Sequence, residues 1–295
     1  MNGIIPVCFL LLLSCVPARA AAQTNAAAAS AEEKVQFATD DEWQIKARFT
    51  PPAAGNYTLV LIHTQKSDSS EWNFWLPYLR HAGLGYLALD LRGHGESTLS
   101  PVGSTVTWRR FDVSGANNDY NKMVRDVSAA INFLGQKGVT PEKTVLVGSV
   151  LGANLAIKTA AIIPEIAMVI ALSPALNAND VLTVNPLRMA CGRRPLLLVG
   201  GVDHERQFKE FLLINDIARG ACGTGNVTVM IEYQGLGQSL VNKYNIRRLL
   251  SWIKHSRRPE VAEDFLGGTD ETDASGENGG DEEKPDASAE DGQEK

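Results

Sequence analysis

Short blocks of unbroken apolar residues recur along the chain. Between them, apolar positions fall three or four apart. The blocks are Tyr57–Ile62, Gly85–Leu89, Val145–Val147, Ala167–Leu172, Leu196–Val199 and Val227–Tyr233. A strand that is apolar at every position is buried on both faces. The pattern therefore predicts six parallel strands covered by helices on both sides, an α/β fold. Ahead of them, Lys34–Ala38 and Glu42–Thr50 alternate apolar and polar around Thr39-Asp40-Asp41, which predicts an antiparallel hairpin. Helices are predicted over Phe74–Ala82, with Pro77 in its first turn and Gly83 as its stop, and over Leu151–Ala161 and Arg206–Ile217. Ala116–Leu134 places Met123, Val127, Ala130, Ile131 and Leu134 on one face, and Val241–Lys254 does the same with Ile246, Leu249, Leu250 and Ile253. Asn177 to Gly192 reads as irregular and too short for a large lid. No internal repeat is visible.

The ends depart from this pattern. Within residues 1–20, Ile4 to Leu13 is nearly all apolar and Ala18-Arg19-Ala20 has the small-x-small form of a signal cleavage site. The run is shorter than the roughly 20 residues a bilayer span needs. Leu12-Leu13-Ser14-Cys15 gives a second reading, a lipobox with lipid on Cys15. Either reading exports the protein, to the periplasm or the medium. Residues 21–33 form an Ala-rich linker, and residues 34–258 form one domain. Pro259–Lys295 contains 14 Asp and Glu against 2 Lys, a net charge of −12, while the whole chain is −6. Residues 1–258 are therefore +6. The acidic tail has too little apolar surface to build a core and is expected to be disordered, as a solvating segment or one that meets a basic surface.

Export makes the cysteines informative. Once residues 1–20 are removed, Cys191 and Cys222 remain. Each precedes a predicted strand, so parallel neighbours would bring both to one sheet end. The pattern predicts a Cys191–Cys222 disulfide, with two buried thiols as the alternative.

The chemistry-bearing stretches lie at strand ends. They are Leu61-Ile62-His63-Thr64, Asp90-Leu91-Arg92-Gly93-His94-Gly95-Glu96-Ser97, Val147-Gly148-Ser149-Val150-Leu151-Gly152-Ala153-Asn154-Leu155, and Leu197-Leu198-Val199-Gly200-Gly201-Val202-Asp203. In this order the chain, from about Lys34 to Arg257, resembles the α/β-hydrolase superfamily, and within it the dienelactone-hydrolase-like and lysophospholipase-like members. The resemblance implies a triad in chain order nucleophile, acid, histidine. The acid position is Asp203. The nucleophile position, between Gly148 and Gly152, holds Val150, and the histidine position, in Gly235-Leu236-Gly237-Gln238, holds Gln238. Valine cannot attack a carbonyl, and glutamine cannot cycle a proton near neutral pH. The resemblance also implies a backbone oxyanion hole from Leu151 and Gln65. A nucleophile in this family sits at positive φ, so Val150 either relaxes the turn or carries strain of about 1–3 kcal/mol.

Ser149 is the one substitute nucleophile beside the elbow, but it lacks the flanking glycines. His63, His81, His94, His204 and His255 read as structural or solvated, and Asp203 as an N-cap for the helix that follows. No cysteine–histidine cluster has metal spacing and no glycine-rich nucleotide fingerprint is present, so no cofactor is expected. The positive charge of the body is too weak to indicate nucleic acid. The leading reading is an exported, catalytically inactive pseudo-hydrolase that binds a small acyl-like ligand or an envelope partner, touching a membrane only through a lipid at Cys15. The rivals are a weak esterase- or lysophospholipase-like serine hydrolase using Ser149, and a structural envelope protein.

Overall fold

The computed structural model describes residues 31–190 and 194–256. The signal and lipobox readings, the first part of the linker, Cys191 and the acidic tail lie outside the described residues.

The chain opens with β1 (Glu33–Ala38), β2 (Gln44–Thr50) and β3 (Thr58–Ile62), followed by α1 (Leu76–His81) and β4 (Gly85–Leu89). Next come α2 (Asp119–Lys122), α3 (Val124–Gln136), β5 (Thr144–Ser149), α4 (Leu151–Ile162) and β6 (Met168–Leu172). A two-residue pair, β7 (Asn177–Ala178) and β8 (Val181–Leu182), leads to α5 (Val184–Ala190). The chain then runs through β9 (Leu196–Gly201), α6 (Glu205–Cys222), β10 (Val227–Glu232) and α7 (Ile246–His255). The eight-stranded sheet has the order β1-β2-β4-β3-β5-β6-β9-β10. β1 and β2 pair antiparallel, β2 joins β4 antiparallel, and the six strands from β4 to β10 are parallel.

Strand residues divide alternately between two cores, as a pleat requires. Val60, Ile62 and Leu146 pack with Val127, Ile131, Leu155, Phe211 and Ile214 on the face of α3, α4 and α6. Leu59, Leu61, Val145 and Val147 pack with Trp72, Trp75, Leu79, Leu249 and Trp252 on the face of α1 and α7. Burial on both faces is why these strands are apolar throughout. Arg92 joins the layers: it bonds Asp126 on α3 at 2.8 Å and Asp41 in the β1–β2 turn at 2.7 Å. No described helix is long and apolar enough to cross a membrane.

Four local expectations need correction. The helix expected over Ala116–Leu134 begins only at Asp119 and breaks at Met123, because Asn118 caps it by accepting from the Asn121 N–H. The helix expected from Val241 starts at Ile246. Asn245 holds the preceding turn, donating to the Leu240 carbonyl and accepting from the Asn242 N–H. α6 continues five residues past Ile217 to Cys222, where Gly223 at φ 77° stops it. Cys222 therefore ends a helix instead of leading into a strand. Finally, 177–190 is ordered as hairpin and helix: Asn179 and Asp180 supply the positive φ values, 52° and 61°, that a two-residue turn needs.

Candidate functional site

The turn from β5 into α4 is fixed by its glycines. A Cβ on Gly148 would lie 2.1 Å from the Gly152 carbonyl oxygen, and one on Gly152 would lie 2.0 Å from that of Ile62. Between them Val150 holds φ 49° and ψ −103°. That region is strained for a β-branched residue, so the turn is not relaxed. The Val150 N–H donates to the Leu172 carbonyl at 2.9 Å, and the Val150 carbonyl accepts from Ala153 and Asn154. Leu151 is the first residue of α4, where backbone N–H groups lack partners within the helix.

The loop expected to carry the histidine seats on this turn, and Asp203, at the acid position, braces that loop. Asp203 follows β9, and its carboxylate accepts from the Gly235 N–H at 2.9 Å. It does not cap α6; His204 occupies that place without a capping bond. The His204 Nε2 lies 3.9 Å from Asp203 Oδ2. Residues Gly237–Leu240 form a single 3-10 turn against the elbow. The Gly237 N–H donates to Ser173 Oγ at 2.9 Å, and the Gln238 N–H donates to Ser149 Oγ at 3.0 Å. A Cβ on Gly237 would lie 2.2 Å from Ser149 Oγ and 3.1 Å from Val150 Cγ2. The glycine is what lets this turn seat directly on the elbow.

Ser149 is only 1% exposed. Its hydroxyl lies beside the Glu71 carboxylate and accepts from the Gln238 N–H. Glu71 accepts from the Thr64 N–H at 2.9 Å, tying the loop after β3 to the elbow. Burial pushes the Glu71 carboxyl above its ordinary range, against the Thr64 N–H bond and the nearby Ser149 and Ser67 hydroxyls, which favour its charged form. Gln65 extends the link outward: its amide donates to the Tyr120 hydroxyl and accepts from Asn179 on the β7–β8 turn. Asn118, Asn121 and Asn154 hold the same hairpin through the carbonyls of Asn179, Asp180 and Val181. The hairpin is a strap anchored by amide side chains.

Under this layer, His63 and His94 are buried with ring centroids 5.0 Å apart. His63 Nδ1 donates to the Thr64 carbonyl and Nε2 accepts from the Leu91 N–H. Burial lowers the pKa of each ring to about 4. Both are neutral and structural, and both lack access to a substrate. His81 ends α1 and His255 ends α7.

Glu71, Ser173 and the asparagine strap were not singled out in the sequence. Asp68-Ser69-Ser70-Glu71 carries the Asp-x-x-Glu spacing of a capped turn, and Asp68 does cap it through the Ser70 N–H. That spacing was the available signal. No group of three metal-ligating side chains occurs among the described residues. A cleft of about 910 Å³ lies between β1–β2 and the loops after β3 and β4. Its carboxylates are already engaged: Asp90 by the Ser69 and Glu96 N–H groups, Glu96 by Lys34, and Glu32 by Arg48.

The sequence profile of the serine aminopeptidase S33 family matches residues 55–204, the segment from before β3 through Asp203. A sequence search of curated proteins found no match. Among solved structures, an esterase from Pyrococcus furiosus superposes with a TM-score of 0.58 at 17% identity, covering 80% of this chain and 92% of that one. A dienelactone hydrolase from Anabaena variabilis gives 0.57 at 16% identity, over 76% and 97%. An acetyl xylan esterase from a Paenibacillus species gives 0.57 at 15% identity, over 75% and 82%. At these identities the likeness is one of fold.

Proposed function

From a chain that belongs to the serine aminopeptidase S33 family of α/β-hydrolases, we propose a protein that keeps the hydrolase scaffold without serine-nucleophile catalysis. In this reading it is an exported pseudo-hydrolase that holds an acyl-bearing small molecule or an envelope partner without turning it over. The observation that carries it is Val150 in the strained slot of the elbow, at φ 49°. The slot presents a side chain at the point of attack, and this one has no electron pair to offer. Gln238 supports the reading, because the turn that should deliver a base delivers an amide and lends its N–H to Ser149. The ligand class rests on the esterases among the structural neighbours. Export and a lipid on Cys15 rest on the N-terminal sequence, and intact-protein mass measurement distinguishes the processed forms.

One observation favours a second reading, a weak serine hydrolase. The Ser149 hydroxyl faces a carboxylate, Glu71, whose pKa burial raises. A nucleophile next to a base is the minimal catalytic pair. Against it stands the 1% exposure of Ser149. A fluorophosphonate probe separates the two. The first reading expects no labelling and no turnover of nitrophenyl esters. Labelling that vanishes in Ser149→Ala makes Ser149 the nucleophile and ends the pseudo-hydrolase reading.

A further inference from the structure

The positive charge of the body is not spread over it. Residues 21–233 carry 19 Lys and Arg against 20 Asp and Glu, which is close to neutral. From Gln234 to Arg258 there is no Asp or Glu, and there are six basic residues: Lys243, Arg247, Arg248, Lys254, Arg257 and Arg258. The acidic segment of net charge −12 begins immediately after them.

The fold gathers this charge on one helix. α7 turns Ile246, Leu249, Trp252 and Ile253 into the core. Arg247 and Lys254 are exposed, seven residues apart, so they lie on one side of the helix, about 10 Å from each other. Lys243 is exposed just ahead of them. Lys243, Arg247 and Lys254 form no ion pair with any described residue. Some exposed cations elsewhere in the fold have carboxylates within reach, as Lys34 has Glu96 and Lys209 has Glu205, whereas the segment that carries α7 has no Asp or Glu from Gln234 to Arg258.

We propose that the outer face of α7 is the docking surface of the chain's own acidic C-terminal segment, 259–295. Reach and charge both favour this occupant. The described chain ends at Ser256, one residue past α7. An extended chain advances about 3.3–3.6 Å per residue, and α7 is about 15 Å long. A turn and about five residues therefore bring the segment back along the whole helix. Glu263 and Asp264 fall within that range, and Asp270, Glu271 and Asp273 follow closely enough to reach the same face from a slack chain. Tethering puts the acidic segment at a millimolar local concentration on the order that short linkers give, which an outside polyanion does not match. Each exposed pair contributes little, about 0–1 kcal/mol, so the contact depends on several pairs at once and weakens with salt. No packed interface is needed, in keeping with the scarcity of apolar residues in the segment. The docked segment neutralises this basic face and keeps other polyanions off it.

Carbodiimide cross-linking of the full chain, read by peptide mapping, tests the proposal. At low ionic strength the expected products are intramolecular amide bonds from Lys243 and Lys254 to carboxylates of 260–294. They should fall at least about tenfold in roughly 1 M salt, where the screening length is about 3 Å. Arg247→Glu, a surface change far from the elbow, should reduce them at least about fivefold while leaving the melting temperature unchanged. Heparin is the second probe: a chain ending at Arg258 should bind it at least about tenfold more tightly than the full chain, since the patch is then uncovered. Links spread over all exposed lysines in proportion to exposure would overturn the proposal. So would equal heparin affinity of the two chains, which would assign the face to an outside polyanion. Neither readout involves the elbow.

Discussion

Acid should unfold this protein earlier than its carboxylates alone require, and the cause is the buried pair His63 and His94. Each ring has a folded pKa of about 4, against about 6.5 in an unfolded chain. The geometry explains the neutral form. His63 Nε2 accepts the Leu91 N–H, so a proton there breaks that bond and turns two donors toward each other. His94 Nε2 is buried without a hydrogen-bond partner, so a proton there would be left unsatisfied. A base whose folded pKa lies below its unfolded value takes up its proton on unfolding. Its contribution is complete above about pH 6.5 and is lost as pH falls toward about 4, where the folded rings themselves titrate.

The depression of each ring corresponds to about 3 kcal/mol lost by pH 4. The two rings repel when both are charged, so the combined loss lies between about 3 and 7 kcal/mol, a large part of an ordinary domain's 5–15 kcal/mol. Three effects oppose it, one of them Asp126 on α3, whose carboxyl burial raises so that it too holds its proton better folded than unfolded. Asp68 favours charge on both rings, and Glu71, raised by burial, holds its proton better folded than unfolded. Carboxylates held low, such as Asp41 beside Arg92, add their own loss only below about pH 4. Urea unfolding between pH 7 and 4.5, followed by the fluorescence of buried Trp72, Trp75 and Trp252, measures the slope. Two rings give up to about 2.7 kcal/mol per pH unit. His94→Asn, which keeps a donor for the Arg92 carbonyl, should cut the slope to about half. A stability that stays flat from pH 6.5 to 4.5, or ring resonances titrating near 6.5, would refute the reasoning.

Two further outcomes follow from the same geometry. Gly152→Ala should destabilise by about 2 kcal/mol or more by thermal melting, since its Cβ would sit 2.0 Å from the Ile62 carbonyl oxygen and overpacking outweighs the roughly 1 kcal/mol alanine gains in a helix; a higher melting temperature would contradict this. Non-reducing peptide maps should contain a Cys191–Cys222 link, and its reduction should cost about 3–4 kcal/mol for a loop of this length; alkylation of both thiols without reductant would remove the bridge.

Much of the fold was legible because it depends on residue type repeated over a whole element. Val60, Leu61 and Ile62 are all apolar because β3 is central, with two cores to serve. The misjudged boundaries share one cause. Asn118, Asn177 and Asn245 each set a turn through side-chain bonds to a few backbone groups, and a single polar residue in such a pattern does not announce which carbonyl or N–H it will find. At the site, Val150, Asp203 and Gln238 could be placed on the elbow and its flanking loops because glycines mark those turns. Glu71 could not, because its role depends on meeting Ser149, 78 positions later, across the sheet. The hydrogen bond from Gln238 to Ser149 was hidden for the same reason.

The elbow also separates what preserves a fold from what performs a reaction. Gly148 and Gly152 are required by backbone contacts with each other and with Ile62, so their loss would disrupt the junction of β5, β3 and α4. The side chain between them contributes little to that junction. It projects from the turn, half-exposed, and its nearest constraint is Gly237. With valine at this position the turn still makes the bonds that shape it, including those from Val150 N–H to Leu172 and from Ala153 to Val150. The strain persists too, because the surrounding sheet and helix over-determine φ at that position. Strained geometry at an active site is usually read as a sign of chemistry. In the proposed reading it belongs to the scaffold alone, and a strained turn with intact glycines would be found whether or not the residue at its apex can attack a carbonyl. Activity must be judged from side-chain atoms at the apex and on the facing turn, where this chain offers a methyl group and an amide.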